Sequence, residues 1–106
     1  MPNIKVILIL ITLSSCFLFS SKNHAADIYN GKKIYQDRCA LCHGKGGRAE
    51  MPGTPDLSKQ QGMQKSNNFL LNRIKQGKGS CPPYGGILKE DQINDVVNFI
   101  RTLRYN

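Results

Sequence analysis

Cys39-Ala40-Leu41-Cys42-His43 decides how this chain is read. Two thiols three residues apart fit one helical turn, so both sulfurs can add to the two vinyl groups of a single porphyrin while the next residue's imidazole lies beneath its iron. The motif therefore names a cofactor, haem c, and asks for a second axial ligand further along the chain. A Cys-x-x-Cys pair also serves thioredoxin-like redox chemistry, a disulfide or half of a zinc site. Zinc wants a second cysteine or histidine knuckle, and the redox fold wants strands ahead of the motif. The sequence offers neither.

Ahead of the motif, Lys5 precedes the apolar run Val6-Ile7-Leu8-Ile9-Leu10-Ile11-Thr12-Leu13, which resumes after Ser14-Ser15-Cys16 as Phe17-Leu18-Phe19. Ser20-Ser21-Lys22-Asn23-His24-Ala25-Ala26 closes the segment. A basic start, a short apolar centre and small residues at the end mark an export signal rather than a membrane span. Cleavage is expected after Ala25, giving a leader 1–25 and a domain 26–106; the bulk of His24 disfavours the neighbouring cut after Ala26. Leu13-Ser14-Ser15-Cys16 also resembles a lipoprotein acylation box, yet Phe17-Leu18-Phe19 carries the apolar run past the cysteine. The expected product is thus a periplasmic or equivalent bacterial lumenal protein with no membrane span after leader removal and no lipid on Cys16.

A domain of this size has a marginal apolar core, and a covalently held haem fills it. The whole chain carries 15 basic and 7 acidic residues, a net charge of +8, and loss of Lys5 and Lys22 with the leader leaves 13 bases against 7 acids. Lys32, Lys33, Lys45, Arg48, Lys59, Lys65, Lys75 and Lys78 are spread along the chain. Such a scattered excess suits electrostatic steering towards the acidic face of a redox protein partner. In an exported protein it does not point to nucleic acid.

Three helices are legible, and no strand or internal repeat is. The first spans 27–38 with Asp27 near its cap and Ile28, Ile34, Tyr35 and Tyr29 as its apolar stripe, running into the haem motif. Gly31 costs helix stability, so it is expected to mark close approach of another helix. Residues 44–62 hold Gly44, Gly46, Gly47, Pro52, Gly53 and Pro55 and read as loop. The second helix spans 67–76, capped by Ser66 or Asn67, with Gly77 in a left-handed position after it. The last runs from about Lys89 to Arg104, acidic at its start (Glu90, Asp91) and basic at its end (Arg101, Arg104), with Ile93, Val96, Val97, Ile100 and Leu103 on one face.

With Gly31 and Tyr35, the haem motif through Gly44, Pro52-Gly53-Thr54-Pro55-Asp56-Leu57, Cys81-Pro82-Pro83-Tyr84-Gly85-Gly86 and the apolar stretch Ile93 to Leu103 in place, the chain resembles the class I cytochromes c over its whole mature length. That resemblance implies an all-α fold, the cytochrome c class I fold, with crossed N- and C-terminal helices around one covalent haem c. It also implies Gly31 and Tyr35 packed against Val96, Phe99 and Ile100, Cys39 and Cys42 as thioethers, His43 as proximal ligand, and Pro55 and Tyr84 in the haem pocket. A Pro55-region carbonyl would hold the second imidazole nitrogen.

The chain departs from the family where the sixth ligand belongs. Small bacterial members carry Gly-x-Met-Pro-Pro-Phe/Tyr, and here the frame reads Gly79-Ser80-Cys81-Pro82-Pro83-Tyr84. Of four cysteines, Cys16 leaves with the leader and Cys39 and Cys42 are consumed by thioethers, so Cys81 has no intramolecular disulfide partner. Iron coordination gives an odd thiol in an oxidising compartment a reason and deprotonates it. An inert thiol and a disulfide to a partner stay open. Met51 lies only eight residues beyond His43, too near to reach the distal face. Met63 is better separated and stays as the alternative ligand to Cys81.

A thiolate stabilises Fe(III), which predicts a low-potential haem, and its departure on reduction would admit NO or CO. Three functions follow: a low-potential electron carrier; a gas-binding or redox-sensing haem protein; or a haem subunit of a sulfur-oxidising, thiosulfate-type enzyme with Cys81 carrying sulfur. An ordinary high-potential carrier using Met63 is the remaining variant. The Cys81 loop is similar to that of the small heterodimeric His/Cys-ligated cytochromes of anaerobic ammonium-oxidising bacteria, which implies NO/CO binding and a second small cytochrome c as partner in a hetero- or homodimer. The expectation is a non-enzymatic protein.

Overall fold

Glycines close two of the helix-forming stretches, at Gly44 and Gly77, and a bend beside the haem motif closes another. The structure, a computed structural model, describes residues 1–15 and 25–104; the acylation-box residue Cys16 and His24 lie outside them. In order, the helices are α1 (Ile4–Ser15), α2 (Ile28–Arg38), α3 (Ala40–His43), α4 (Asn67–Gln76) and α5 (Glu90–Ile100), with a 3-10 turn at Leu57–Lys59. Among the described residues the one extended pairing is the bridge between Lys78 and Cys81.

α1 leaves its apolar residues from Ile4 to Leu10 exposed, outside the core. No helix of the described residues is long and apolar enough to cross a membrane. The core is formed by Tyr35 of α2, Leu70 of α4, Ile93, Val96, Val97, Phe99 and Ile100 of α5, with Leu57 and Tyr84 from the loops. α5 dominates it because its apolar residues recur at three- and four-residue intervals and so share one face.

α2 begins where Asp27 turns its carboxylate onto the Asn30 amide at 3.0 Å. It crosses α5 at Gly31, where an added Cβ would meet the Asp95 carbonyl oxygen at 2.1 Å. Only a residue without a side chain lets the two backbones approach that far. The buried Asp95 carboxylate secures the crossing, accepting from the Asp27 amide and from Asn30 Nδ2, both at 2.8 Å. One turn on, Tyr35 lies at 5.2 Å from Phe99, centroid to centroid and tilted by 58°. Its hydroxyl donates to the Gly44 carbonyl at 2.6 Å, tying α2 to the end of the haem motif.

Several local expectations shift. Tyr29 is 84% exposed and Ile28 also faces outward, so the stripe of α2 narrows to Ile34 and Tyr35. α2 ends at Arg38, the expected boundary, and after a bend at Cys39 the separate α3 starts at Ala40. Ser66 caps α4 by accepting from the Phe69 amide at 3.1 Å. Gly77 follows with φ 68° but an extended ψ of 172°, so it is not the left-handed cap expected. Its reason is proximity: a Cβ there would stand 2.6 Å from the Cys81 carbonyl.

α5 stops at Ile100, four residues before the expected end. Just past that end, the Arg101 guanidinium reaches Asn67 Oδ1 at 2.6 Å, the Met63 carbonyl at 2.9 Å and the Lys65 carbonyl at 2.6 Å. Those three bonds hold the approach to α4 against α5. Arg101→Ala is expected to cost about 2 kcal/mol, the scale of hydrogen bonds from a charged donor that is only half buried. Urea unfolding of the haem-loaded protein measures it, and an unmoved midpoint would show that water replaces these bonds freely.

Candidate haem-binding site

The bend between α2 and α3 shapes the attachment segment. Cys39 sits outside both helices, and the amides of Cys42 and His43 turn back to its carbonyl at 3.2 and 2.9 Å. This single turn keeps Cys39, Cys42 and His43 half-buried while Leu41 is 88% exposed. The two thiols and the imidazole thus belong to one short, well-bonded turn.

His43 Nδ1 lies 3.3 Å from the Pro55 carbonyl oxygen. Burial lowers the imidazole's pKa, partly opposed by that carbonyl, with Arg73 pushing it down further. A neutral ring with Nδ1–H directed at Pro55 keeps a lone pair on Nε2, the form that binds iron. The Pro55 carbonyl is placed by Asp56, whose carboxylate accepts from Ser58 Oγ at 2.5 Å and the Lys59 amide at 3.2 Å, starting the 3-10 turn. The Ser58 bond is the largest influence and lowers the Asp56 pKa; burial opposes it, and the Lys59 amide and charge lower it further.

Burial, then the nearby Cys81 and Cys42, push the Cys39 thiol up to about 11. The Tyr84 phenol is raised by burial first, then by Cys39 and Cys81. Cys81 thus lies close enough to act on both Cys39 and Tyr84, so its loop and the Cys39–His43 turn share one neighbourhood. With Cys39 and Cys42 taken as thioethers, Cys81 would be the remaining thiol there.

Cys81 is half-buried, packs against the core and exchanges backbone bonds with Lys78 at 3.0 Å in both directions. Its Sγ lies 3.8 Å from the Pro82 carbonyl. Tyr84 is buried, and its hydroxyl reaches the Arg38 carbonyl at 3.1 Å. Met63 is half-buried against the core with its carbonyl held by Arg101. Met51 brings its Sδ to 3.1 Å from Cys42 Sγ, beside the attachment turn. Lys75, beside the Cys81 loop, is engaged by Glu90 at 3.1 Å. A donor set of two thiols on one turn, an imidazole with its second nitrogen occupied and one further sulfur suits haem c.

The hydroxyl of Tyr84 on Arg38, the Arg101 clamp and the Met51–Cys42 sulfur pair have no signature in local sequence. The Tyr84 and Arg101 partners stand 34 to 46 residues away.

Residues 26–100 match the family model described as cytochrome c oxidase, cbb3-type, subunit III. Cytochrome c6 of Pyropia yezoensis is 30% identical over 103 residues, covering 91% of this chain and 91% of that protein. Cytochrome c6 of Thermosynechococcus vestitus is 33% identical over 79 residues, with 72% and 70% covered. Among solved structures, cytochrome c6 of the diatom Phaeodactylum tricornutum aligns with a TM-score of 0.63 at 24% identity, covering 73% of this chain and 93% of that one. KustC0563, a c-type cytochrome, gives 0.63 at 20% identity, with 71% and 98% covered. These two structural likenesses concern the fold.

Proposed function

Because this chain belongs to the class I c-type cytochromes, electron carriers with one covalently attached haem c, we propose that it is a low-potential member with His43 and Cys81 as axial ligands. Cys39 and Cys42 carry the thioethers, and Pro55 and Tyr84 complete the pocket. Residues 1–25 act as an export leader, which places the domain in the periplasm or an equivalent lumen. The observation that carries the reading is the half-buried Cys81, in the loop frame of a methionine ligand and within electrostatic reach of Cys39.

The haem iron supplies one-electron exchange. Pro55 holds Nδ1 of His43, so that imidazole orients and does not swing. The Cys81 thiolate places a negative charge where the oxidised site carries one more positive charge than the reduced one. It therefore favours the oxidised state and lowers the potential. With haem bound, Cys81 would hold the iron less firmly in the reduced state and would take up a proton on leaving it, which would free a position for NO or CO. The basic surface steers the protein to a redox partner, and a second small cytochrome c fits that role, as in the His/Cys-ligated heterodimers the Cys81 loop resembles.

Low-temperature EPR of the oxidised protein tests the ligation. Cys81→Ala is expected to abolish the thiolate-type low-spin signal. Identical low-spin signals in both proteins would exclude Cys81 and return the ligand role to Met63. CO spectra of the reduced protein test the gas reading, which fails if the Soret band does not move.

A further inference from the structure

An unbroken helix would give the Arg38 carbonyl to the amide of Cys42, four residues on. The bend at Cys39 diverts that amide to the Cys39 carbonyl at 3.2 Å. The Tyr84 hydroxyl, from a loop 46 residues away, donates to the Arg38 carbonyl at 3.1 Å instead. Tyr84 is buried, and a buried phenol keeps a partner because water cannot substitute for it. The bond thus joins the Cys81 loop to the residue immediately before the first haem-attachment cysteine.

The same loop is tied elsewhere by its backbone. The Tyr84 amide donates to the Ile74 carbonyl and the Gly85 amide to the Lys75 carbonyl, both at 3.1 Å, fastening it to the end of α4. Lys78 and Cys81 exchange two bonds of 3.0 Å at its other end. Between these ties, Pro82 and Pro83 have fixed φ angles and no amide hydrogen to give. Little backbone freedom remains on either side of Cys81.

We propose that Tyr84 is a positioning residue: its hydroxyl clasps the Cys81 loop to the attachment turn, so Cys81 would leave iron by side-chain rotation alone while the loop backbone stays in place. The role toward iron rests on the reading of Cys81 as distal ligand. The clasp itself does not, since every bond in it is between protein atoms.

Amide hydrogen exchange at Cys81 and Tyr84 tests the clasp in the haem-loaded protein. In the wild type, protection is expected to be equal in the oxidised and reduced states. A fall on reduction would mean that the loop opens, and would overturn the proposal without any variant having to fold. In Tyr84→Phe, protection of both amides should drop about five- to tenfold, the worth of one net hydrogen bond; unchanged protection also overturns it. Failure of the ligation reading shows separately, as coincident EPR spectra of wild type and Cys81→Ala, whatever the exchange experiment returns.

Discussion

Cys81→Met is expected to raise the midpoint potential by a substantial part of the range of about 0.8 V that axial ligation spans in haem proteins. The direction follows from charge. A thiolate cancels one unit of the oxidised site's positive charge and a thioether cancels none, so the substitution removes a stabilisation that the oxidised state enjoys more than the reduced. Partial burial of the loop enlarges the effect, because water screens the charge poorly there. The surrounding frame, Pro82-Pro83-Tyr84 with its ties to Arg38, Ile74 and Lys75, already has the form that receives methionine in related small cytochromes, so the fold should tolerate the change. A spectroelectrochemical titration of both proteins measures the shift. A potential that stays put would remove Cys81 from the iron and with it the low-potential assignment.

Gly31→Ala should force apart the crossing of α2 and α5. The new Cβ would lie 2.1 Å from the Asp95 carbonyl oxygen and 3.1 Å from Phe99 Cβ, and the first obstacle is backbone that cannot rotate aside. α2 and α5 must separate, which loosens Tyr35 from Phe99 and strains the bonds from Asp27 and Asn30 to Asp95. Alanine's better helix propensity returns about 1 kcal/mol. Overpacking against backbone costs about 3 kcal/mol or more, so the net change is a loss. For a domain of this size each kcal/mol lowers Tm by about 4–8 °C, which makes a drop of roughly 10–15 °C the expected result. Calorimetry of the haem-loaded protein checks it; an unchanged Tm would mean that the crossing is looser than its geometry indicates.

Much of the fold was legible from residue patterns. Asp27 and Ser66 as caps, the buried face of α5 and the close crossing at Gly31 all rest on neighbours within a turn or on a residue type with one physical use. Two misplacements are of a different kind. The early end of α5 and the conformation of Gly77 go with contacts outside their own helices, to the carbonyls of Met63 and Lys65 and to the Cys81–Pro83 backbone. Periodicity carries no trace of such partners.

The candidate site divides along the same line. By itself the sequence determined the cofactor and the sulfur at position 81, because thiol, imidazole and thiolate chemistry belongs to the residue whatever surrounds it. Tertiary structure alone decided how those groups are held: His43 Nδ1 against the Pro55 carbonyl, Cys39 within reach of Cys81, and Tyr84 closed over a carbonyl that the bend in the chain had released. Hydrogen bonds need their two atoms at one distance and one angle, and that meeting exists only after the chain has folded.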